Sequence, residues 1–551
     1  MAKKEPNIEF EELKKSEVNG KIGEVCNADT ERVISFKIME NPDNLKLGQP
    51  IIVDTPKFLY YCMLGRLYYP MNDTVLKFAN TSLTNLIPSA QIEGVRGKEF
   101  YGLADLTCLK ILPVKNIGKK DPGEFREFDT IPPVFSSCRA VTEEEIKTIY
   151  KESETTDSIG TLRGFDFEIP IDFATLVKKP YGVFGRTGIG KSILNKLLCL
   201  SILKQKVSRL LIFDMQGEYG LYSRAEDNSK GLKYYFEDDI QIYRLDSKKI
   251  IDGAEPFTFY RENITSGDII ASSQTLSEPA INALSILNNE RINQSGGPNE
   301  DLLSFIANYD ETSNNAIHAG SLNAIKNRIS RFNEYSFLIR TIPNKKDSIE
   351  DIFEKIKLGK SIVIDFGKYG VDKFLYYFIA NAITRRLYDT YSRREATSEE
   401  NLPSLVVVLE EAHKFLQSSI IHHTIFDRIA REMRKFQLTL AFIDQRPSQI
   451  DEEVMSQVAN RFIMHLTDKR DIDTTVGTLT DPAQYRRIIA GLLKRECLVH
   501  GDAISVPTII NIKNYHDDKA IKKSLGVKKT QAELNREIAK GDMTKLFANK
   551  E

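Results

Sequence analysis

An α/β architecture is predicted: a parallel sheet that carries an α-helical insertion and is preceded by a small N-terminal β-barrel. Three features of the 551-residue sequence predict it. Short apolar stretches broken by turn residues run from Ile22 to about Leu112. Longer apolar runs alternate with helical segments from about Gly160 onward. A polar, helical stretch separates two of those runs.

Composition narrows the possible classes. Hydrophobic residues make up 41% and charged residues 28%, the balance of a folded globular chain. No apolar run reaches the roughly 18 residues of a membrane span. The polar, acidic start lacks the apolar region of a secretory signal. A cytoplasmic protein with no membrane partner is therefore expected. A net charge of −1 argues against a generally basic DNA-coating protein. It is compatible with a ring whose basic surface lines a channel. The six cysteines are scattered without a C-x-x-C pair and read as reduced thiols. The histidines do not join them at zinc-site spacing.

The elements follow in order. Residues 1–20 read as a polar extension and 21–135 as the barrel. Within the barrel the runs at 22–25, 33–36, 50–53 and 63–67 are separated by Gly and Asn/Asp–Pro signals. The Pro/Gly/Lys stretch at 115–133 reads as a linker. The first part of the core spans 136–257, with apolar runs at 181–184 and 210–213. Residues 258–345 form the helical insertion, without strand-like runs. The second part of the core spans 346–513, with runs at 361–364, 405–409, 440–443 and 462–464. Continuous apolar strands with helices between them belong to a parallel sheet covered on both faces. The tail at 514–551 is lysine-rich. In it Thr530 and Glu533 have capping-box spacing before Leu534 and Ile538. A short helix there would dock on a neighbouring subunit or remain a solvated end.

The chemistry concentrates at strand ends. Gly185-Arg186-Thr187-Gly188-Ile189-Gly190-Lys191-Ser192 fits G-x-x-x-x-G-K-[ST]. It follows an apolar run and opens a helix bearing Leu194, Leu197, Leu198 and Ile202. Glycines let the loop backbone wrap phosphates with N–H groups, and the helix N-terminus adds positive potential. Lys191 would reach the β- and γ-phosphates, and Ser192 would offer its hydroxyl to Mg²⁺. ATP with Mg²⁺ is the expected cofactor pair. Downstream, the run at 405–409 ends in Glu410-Glu411-Ala412-His413. Glu410 would hold Mg²⁺ through water, and Glu411 would orient the attacking water. Gln445 follows the strand at 438–443, where ligands bind in open α/β sheets, and would sense the γ-phosphate. Arg434 or Arg431 would serve as an arginine finger, which demands an oligomer if it acts on a neighbour. Asp214 and Asp365 also close strands. Lys414, Lys469 and Arg470 are candidate DNA contacts.

Together these residues resemble the HerA family of hexameric DNA-translocating ATPases, within the HerA/FtsK superfamily. Gly185 to Ser192 is similar to the family's nucleotide loop. Asp214 with Gly217-Glu218-Tyr219 resembles its D-x-x-G-E-Y element, and Glu410-Glu411-Ala412-His413 its Walker B. Ile429-Ala430-Arg431-Glu432-Met433-Arg434-Lys435-Phe436 and Gln445-Arg446-Pro447-Ser448 resemble the I-A-R-E-G-R-K-F and Q-R-P-S blocks. Met433 departs from the family's glycine. Gly501 and Pro507 fit a late strand pair, and Gly23, Gly48 and Gly65 fit turns of a barrel shared with ATP-synthase subunits.

The resemblance implies a RecA-like core and an ATP-hydrolysing DNA translocase or helicase. It implies a homo-hexamer on double-stranded DNA. It also implies a separately encoded effector, either a NurA-like nuclease or a Sir2-like or other defence protein, in DNA-end processing or antiviral defence. The alternative is an ATP-controlled ring scaffold that activates such an effector without moving DNA. A secretion or conjugation ATPase of the same superfamily is disfavoured by the lack of a membrane segment.

Overall fold

The computed structural model describes residues 20–70, 101–117, 125–224, 229–248, 250, 253–273, 276–294, 300–310, 312–393, 402–418, 421, 424–432 and 437–527. Arg434, the Thr530–Glu533 capping box and nearly all of the N-terminal extension lie outside them.

Strands β1 (Lys21–Ala28), β2 (Val33–Ile38), β3 (Pro50–Asp54), β4 (Phe58–Tyr68), β5 (Leu103–Pro113) and β6 (Ser137–Ala140) close a barrel in the order β1-β2-β5-β4-β3-β6. Alternation along the strands sends Ile34, Phe36, Val53, Tyr60, Cys62 and Leu106 into its interior. The closing strand β6 comes after the Pro/Gly/Lys stretch. That stretch is thus an excursion within the barrel, since closure needs β6 to pair with both β1 and β3. Without it two edges would be left with unpaired backbone groups.

The chain continues through β7 (Thr156–Leu162), β8 (Glu168–Asp172), β9 (Tyr181–Phe184), β10 (Arg209–Asp214), β11 (Ile240–Arg244), β12 (Ala254–Pro256), β13 (Phe259–Tyr260), β14 (Leu338–Ile339), β15 (Ser361–Asp365), β16 (Leu405–Glu410), β17 (Leu438–Asp444), β18 (Asn460–Ile463), β19 (Glu496–His500) and β20 (Thr508–Ile512). All but β13 and β14 form one twelve-stranded sheet ordered β12-β11-β15-β10-β16-β17-β9-β18-β19-β20-β7-β8. From β12 to β18 every neighbouring pair is parallel. From β18 to β8 every pair is antiparallel. The expected α/β core is present, and its parallel sheet is extended by an antiparallel wing. An apolar run buried on both faces looks the same in either orientation.

The barrel rests on that wing. The Tyr61 and Tyr150 hydroxyls lie 3.0 Å apart, and Tyr150 is 2.8 Å from the Thr508 hydroxyl on β20. Arg163 Nη1 donates to the Leu47 carbonyl at 2.5 Å. Gln484 Nε2 donates to the Met63 carbonyl at 3.4 Å.

The insertion is helical, as expected, but it is pinned at its base by a two-residue parallel pair, β13 with β14. Its first helix, α1 (Ser266–Ser273), packs on the long α2 (Lys373–Arg393). At that contact the fully buried Asp268 accepts from Arg385 Nη2 at 2.7 Å, Arg385 Nε at 3.2 Å and Asn381 Nδ2 at 3.0 Å. Among the described residues no helix is long and apolar enough to cross a membrane.

Removing one partner of a buried, hydrogen-bonded ion pair leaves the other charge uncompensated, at a cost of about 3–5 kcal/mol. Asp268→Ala is expected to lose stability on that scale in urea unfolding and to become cut first within the insertion under limited proteolysis. Unchanged stability would show that the Asp268–Arg385 pair does not hold the insertion in place.

Candidate nucleotide-binding site

The parallel strands deliver their carboxyl ends to one edge of the sheet, where an α/β fold binds ligands. β9 stands between β17 and β18 and leads into the glycine loop. The loop opens helix α3 (Lys191–Gln205). Gly188 and Gly190 adopt φ of +74° and +111°, a region that side chains rarely tolerate. A Cβ at Gly188 would meet no atom within 4 Å, and one at Gly190 would meet only Met464 Cε at 3.6 Å. The loop is thus an open cradle of backbone. The Arg186 N–H donates to the His465 carbonyl at 3.0 Å and the Gly185 N–H to the Asp444 carbonyl at 3.2 Å, which anchors the cradle to both flanking strands. Lys191 Nζ donates to the Arg186 carbonyl at 3.1 Å across the loop. Burial lowers the Lys191 pKa, while Glu411, Asp444, Glu410 and Glu218 pull it the other way.

The strand order explains how the distant motifs meet. β16 lies beside β17, so Glu410 and Glu411 emerge one strand away from the strand that flanks β9. Glu410 is buried, and its Oε1 accepts the Tyr219 hydroxyl at 3.0 Å. Glu411 sits just past the strand at φ +52°, a left-handed conformation that costs a non-glycine residue energy and clusters at functional sites. Its Oε2 accepts from Gln445 Nε2 at 3.4 Å, and Lys414 Nζ lies 3.4 Å away. The Gln445 amide oxygen accepts from the Thr187 hydroxyl of the glycine loop. Gln445 therefore bridges loop and glutamate, and Lys414 belongs to this neighbourhood.

Asp214 does not face outward. It accepts the backbone N–H groups of Glu218 and Tyr219, each at 2.9 Å, and so shapes the turn that presents them. Asp365 is held by an ion pair with Arg224 and by the Gly367 N–H at 2.9 Å. Burial, with Asp214 and Glu218 nearby, pushes the Glu410 carboxyl up to about 8. Burial likewise pushes Asp214 up to about 6, against the opposing backbone N–H bonds.

Three groups at this edge carry no role of their own in the sequence reading, His413 being named there only as part of the Walker B motif. Asn195, on α3 three residues after Ser192, donates from Nδ2 to the Tyr219 hydroxyl at 3.0 Å. A fully buried asparagine among Leu194, Leu197 and Leu198 was the available signal. Tyr376 donates to the Glu410 carbonyl at 2.9 Å. His413 makes a backbone N–H bond of 2.5 Å and a ring Nδ1 contact of 2.9 Å with buried Asp444.

Arg431 is not at this edge. It pairs with Asp427 and Glu453, each at 2.5 Å, near the end of helix α4 (Ile425–Glu432). It lines a cavity of about 350 Å³ with Pro180, Leu438 and Ala459, which stand at the starts of β9, β17 and β18. β17 runs seven residues, and a strand rises about 3.3 Å per residue. The chain's own glycine loop therefore lies a strand's length away from Arg431. Lys469 and Arg470 are exposed and open a helix after β18.

The donors fit a magnesium nucleotide. Ser192 and Glu410 offer oxygen, which a hard cation prefers. Glu218 Oε2 and Asn195 Oδ1 are buried without a partner among the described residues. No group of three or more His, Cys, Asp or Glu there is placed to cage a metal.

A glycine loop between a central strand and a helix, with paired glutamates on a nearby parallel strand, defines a P-loop ATPase. Residues 157–387 match the family model "Helicase HerA, central domain". The chain is 29% identical over 415 residues to the DNA double-strand break repair helicase HerA of Sulfurisphaera tokodaii, covering 73% of this chain and 77% of that protein. It is 25% identical over 382 residues to the protein of the same name from Pyrococcus furiosus, covering 63% and 68%. Among solved structures, the plasmid coupling protein TrwB with GDPNP aligns at a TM-score of 0.46 and 14% identity, covering 68% of this chain and 92% of that one. Residues 157–387 thus match the central domain of HerA helicases, and the chain is similar to curated HerA helicases over most of its length.

The raised Glu410 pKa fixes the sign of one pH effect. A carboxyl raised from its ordinary 4.5 to about 8 favours the folded state when protonated. That stability is complete below about pH 4.5 and is lost as pH rises through 8. Without nucleotide or metal, Glu410→Gln is expected to stabilise the protein at pH 8 by roughly 1–3 kcal/mol. The gain should shrink towards pH 5. Thermal unfolding in EDTA across that range checks it, and a gain independent of pH would contradict the assignment.

Proposed function

We propose that this chain is an ATP-driven double-stranded DNA translocase or helicase that works as a homo-hexameric ring, each nucleotide site being completed by a neighbouring subunit. The observation that carries this reading is the division of the motifs between two edges of one sheet. The loop, Glu410, Glu411 and Gln445 meet at the carboxyl edge, while Arg431 lines the opposite edge. Packing the amino edge of one subunit against the carboxyl edge of the next would bring an arginine to the γ-phosphate. Arg431 is available for that role, and Arg434, three residues further on, is its equal candidate.

Within the site, residues 185–190 bind the phosphates through backbone N–H groups and Lys191 binds the β- and γ-phosphates. Ser192, and Glu410 through water, would hold Mg²⁺, which when bound neutralises charge on the phosphate oxygens. Glu411 orients and polarises the attacking water, and Gln445, linked to both Thr187 and Glu411, reports the γ-phosphate to that glutamate. The names of the relatives, DNA double-strand break repair helicases, support DNA as the track. A separately encoded effector, of NurA-like nuclease or Sir2-like type, would use the motor in DNA-end processing or antiviral defence.

The test is ATP hydrolysis with and without linear duplex DNA. Duplex is expected to stimulate the rate, and the stimulation should fall steeply with salt, because contacts to phosphates release counterions. Glu411→Gln is expected to slow turnover by about 10²–10⁴-fold while nucleotide still binds. Lys191→Ala should lose binding. A wild-type rate indifferent to DNA at every salt concentration would contradict the motor and leave an ATP-controlled scaffold.

A further inference from the structure

We propose that Tyr219 is a positioning residue for Glu410, and that Asn195 on the P-loop helix sets the direction of the hydrogen bond between them. The inference rests on the reading of Glu410 as the magnesium-side carboxylate. Tyr219 is completely buried, and its hydroxyl has two neighbours at 3.0 Å, Asn195 Nδ2 and Glu410 Oε1. An amide nitrogen only donates, so the tyrosine oxygen must accept from Asn195. The one tyrosine proton is then left for Glu410. Oε1 is thereby occupied, and Oε2 remains for a metal-bound water.

Each member is itself held in place. Asn195 is rigid because it belongs to the helix that begins at Lys191 and carries Ser192, the other magnesium-side oxygen. Tyr219 is fixed through its backbone N–H, which donates to buried Asp214 at 2.9 Å. Glu410 is fixed from behind by Tyr376, whose hydroxyl donates to the Glu410 carbonyl at 2.9 Å. The relay Asn195–Tyr219–Glu410 therefore ties the helix of Ser192 to Glu410, the two groups that would hold the metal. It gives the tyrosine of the Gly217-Glu218-Tyr219 turn a task distinct from packing. Outer partners of this kind orient the groups that meet a metal.

The experiment measures affinity for a fluorescent ADP analogue on the full chain, in EDTA and along a Mg²⁺ titration, beside kcat and KM for ATP. For Tyr219→Phe the Mg²⁺ concentration at half effect should rise about tenfold. The affinity in EDTA should stay within about twofold, and kcat should fall with KM nearly constant. Asn195→Asp should reproduce this defect, because a carboxylate accepts the tyrosine proton and draws it away from Glu410. Asn195→Leu, which leaves Tyr219 free to donate, should change the Mg²⁺ response less than about threefold. A Tyr219→Phe protein with the wild-type Mg²⁺ response would overturn the proposal. So would equal loss of affinity in EDTA, which would mark collapse of the loop. Failure of the wild-type protein to bind nucleotide at all would overturn the nucleotide-site reading and this proposal with it.

Discussion

Buried negative charge at one edge of the sheet is the constraint around which this molecule is organised. Parallel strands end there together, and β10 and β16 end in carboxylates that the surrounding core removes from water. Burial makes their ionised forms costly and raises their pKa values, to about 6 for Asp214 and about 8 for Glu410. The fold manages the cost with local donors. Asp214 is satisfied by the turn it shapes, and Glu410 by a tyrosine hydroxyl. What remains is a carboxyl whose ionised form is favoured by a cation, set beside a loop built to hold phosphates.

The rest of the architecture supplies rigidity to that edge. Arg186 and Gly185 tie the loop to the strands on either side of β9, and Gln445 links Thr187 to Glu411. The antiparallel wing extends the sheet away from the site and provides the seat for the barrel through Tyr61, Tyr150 and Thr508. The insertion is fixed to α2 by the ion pair of buried Asp268 with Arg385, in addition to the β13–β14 pair at its base. Its orientation therefore depends on charges whose loss is expensive.

Much of this was legible in the sequence because the chemistry dictates it. A phosphate loop needs glycines at positive φ, and Gly188 and Gly190 are in place. A Walker-type strand needs apolar residues and then acids, and residues 405–411 have that pattern. The antiparallel orientation of β19 and β20 was not legible, since strands buried on both faces carry no mark of direction. β11, which pairs with the edge strand β12, gives only a weak signal, because Ile240-Gln241-Ile242-Tyr243 is short and interrupted by a polar residue. The closing strand of the barrel, β6, hid behind a stretch with the composition of a linker. Asp214 reads in the sequence as an acid that closes a strand, and only the folded turn reveals that the Glu218 and Tyr219 N–H groups consume it. Asn195 gains a role only in the fold, where the turn after β10 brings Tyr219 to it.

On the proposed reading no single chain holds a complete catalytic site, because the loop and Arg431 occupy opposite edges of the sheet. Mixing two inactive proteins tests it most directly. One is Lys191→Ala, with an intact arginine edge, and the other is the Arg431→Ala, Arg434→Ala double variant, with an intact glycine loop. If sites are shared, mixed rings regain ATP hydrolysis at those interfaces where an intact loop faces an intact arginine edge. If the mixture co-assembles and remains as inactive as its components, the site is complete within one subunit and the shared-site account is wrong.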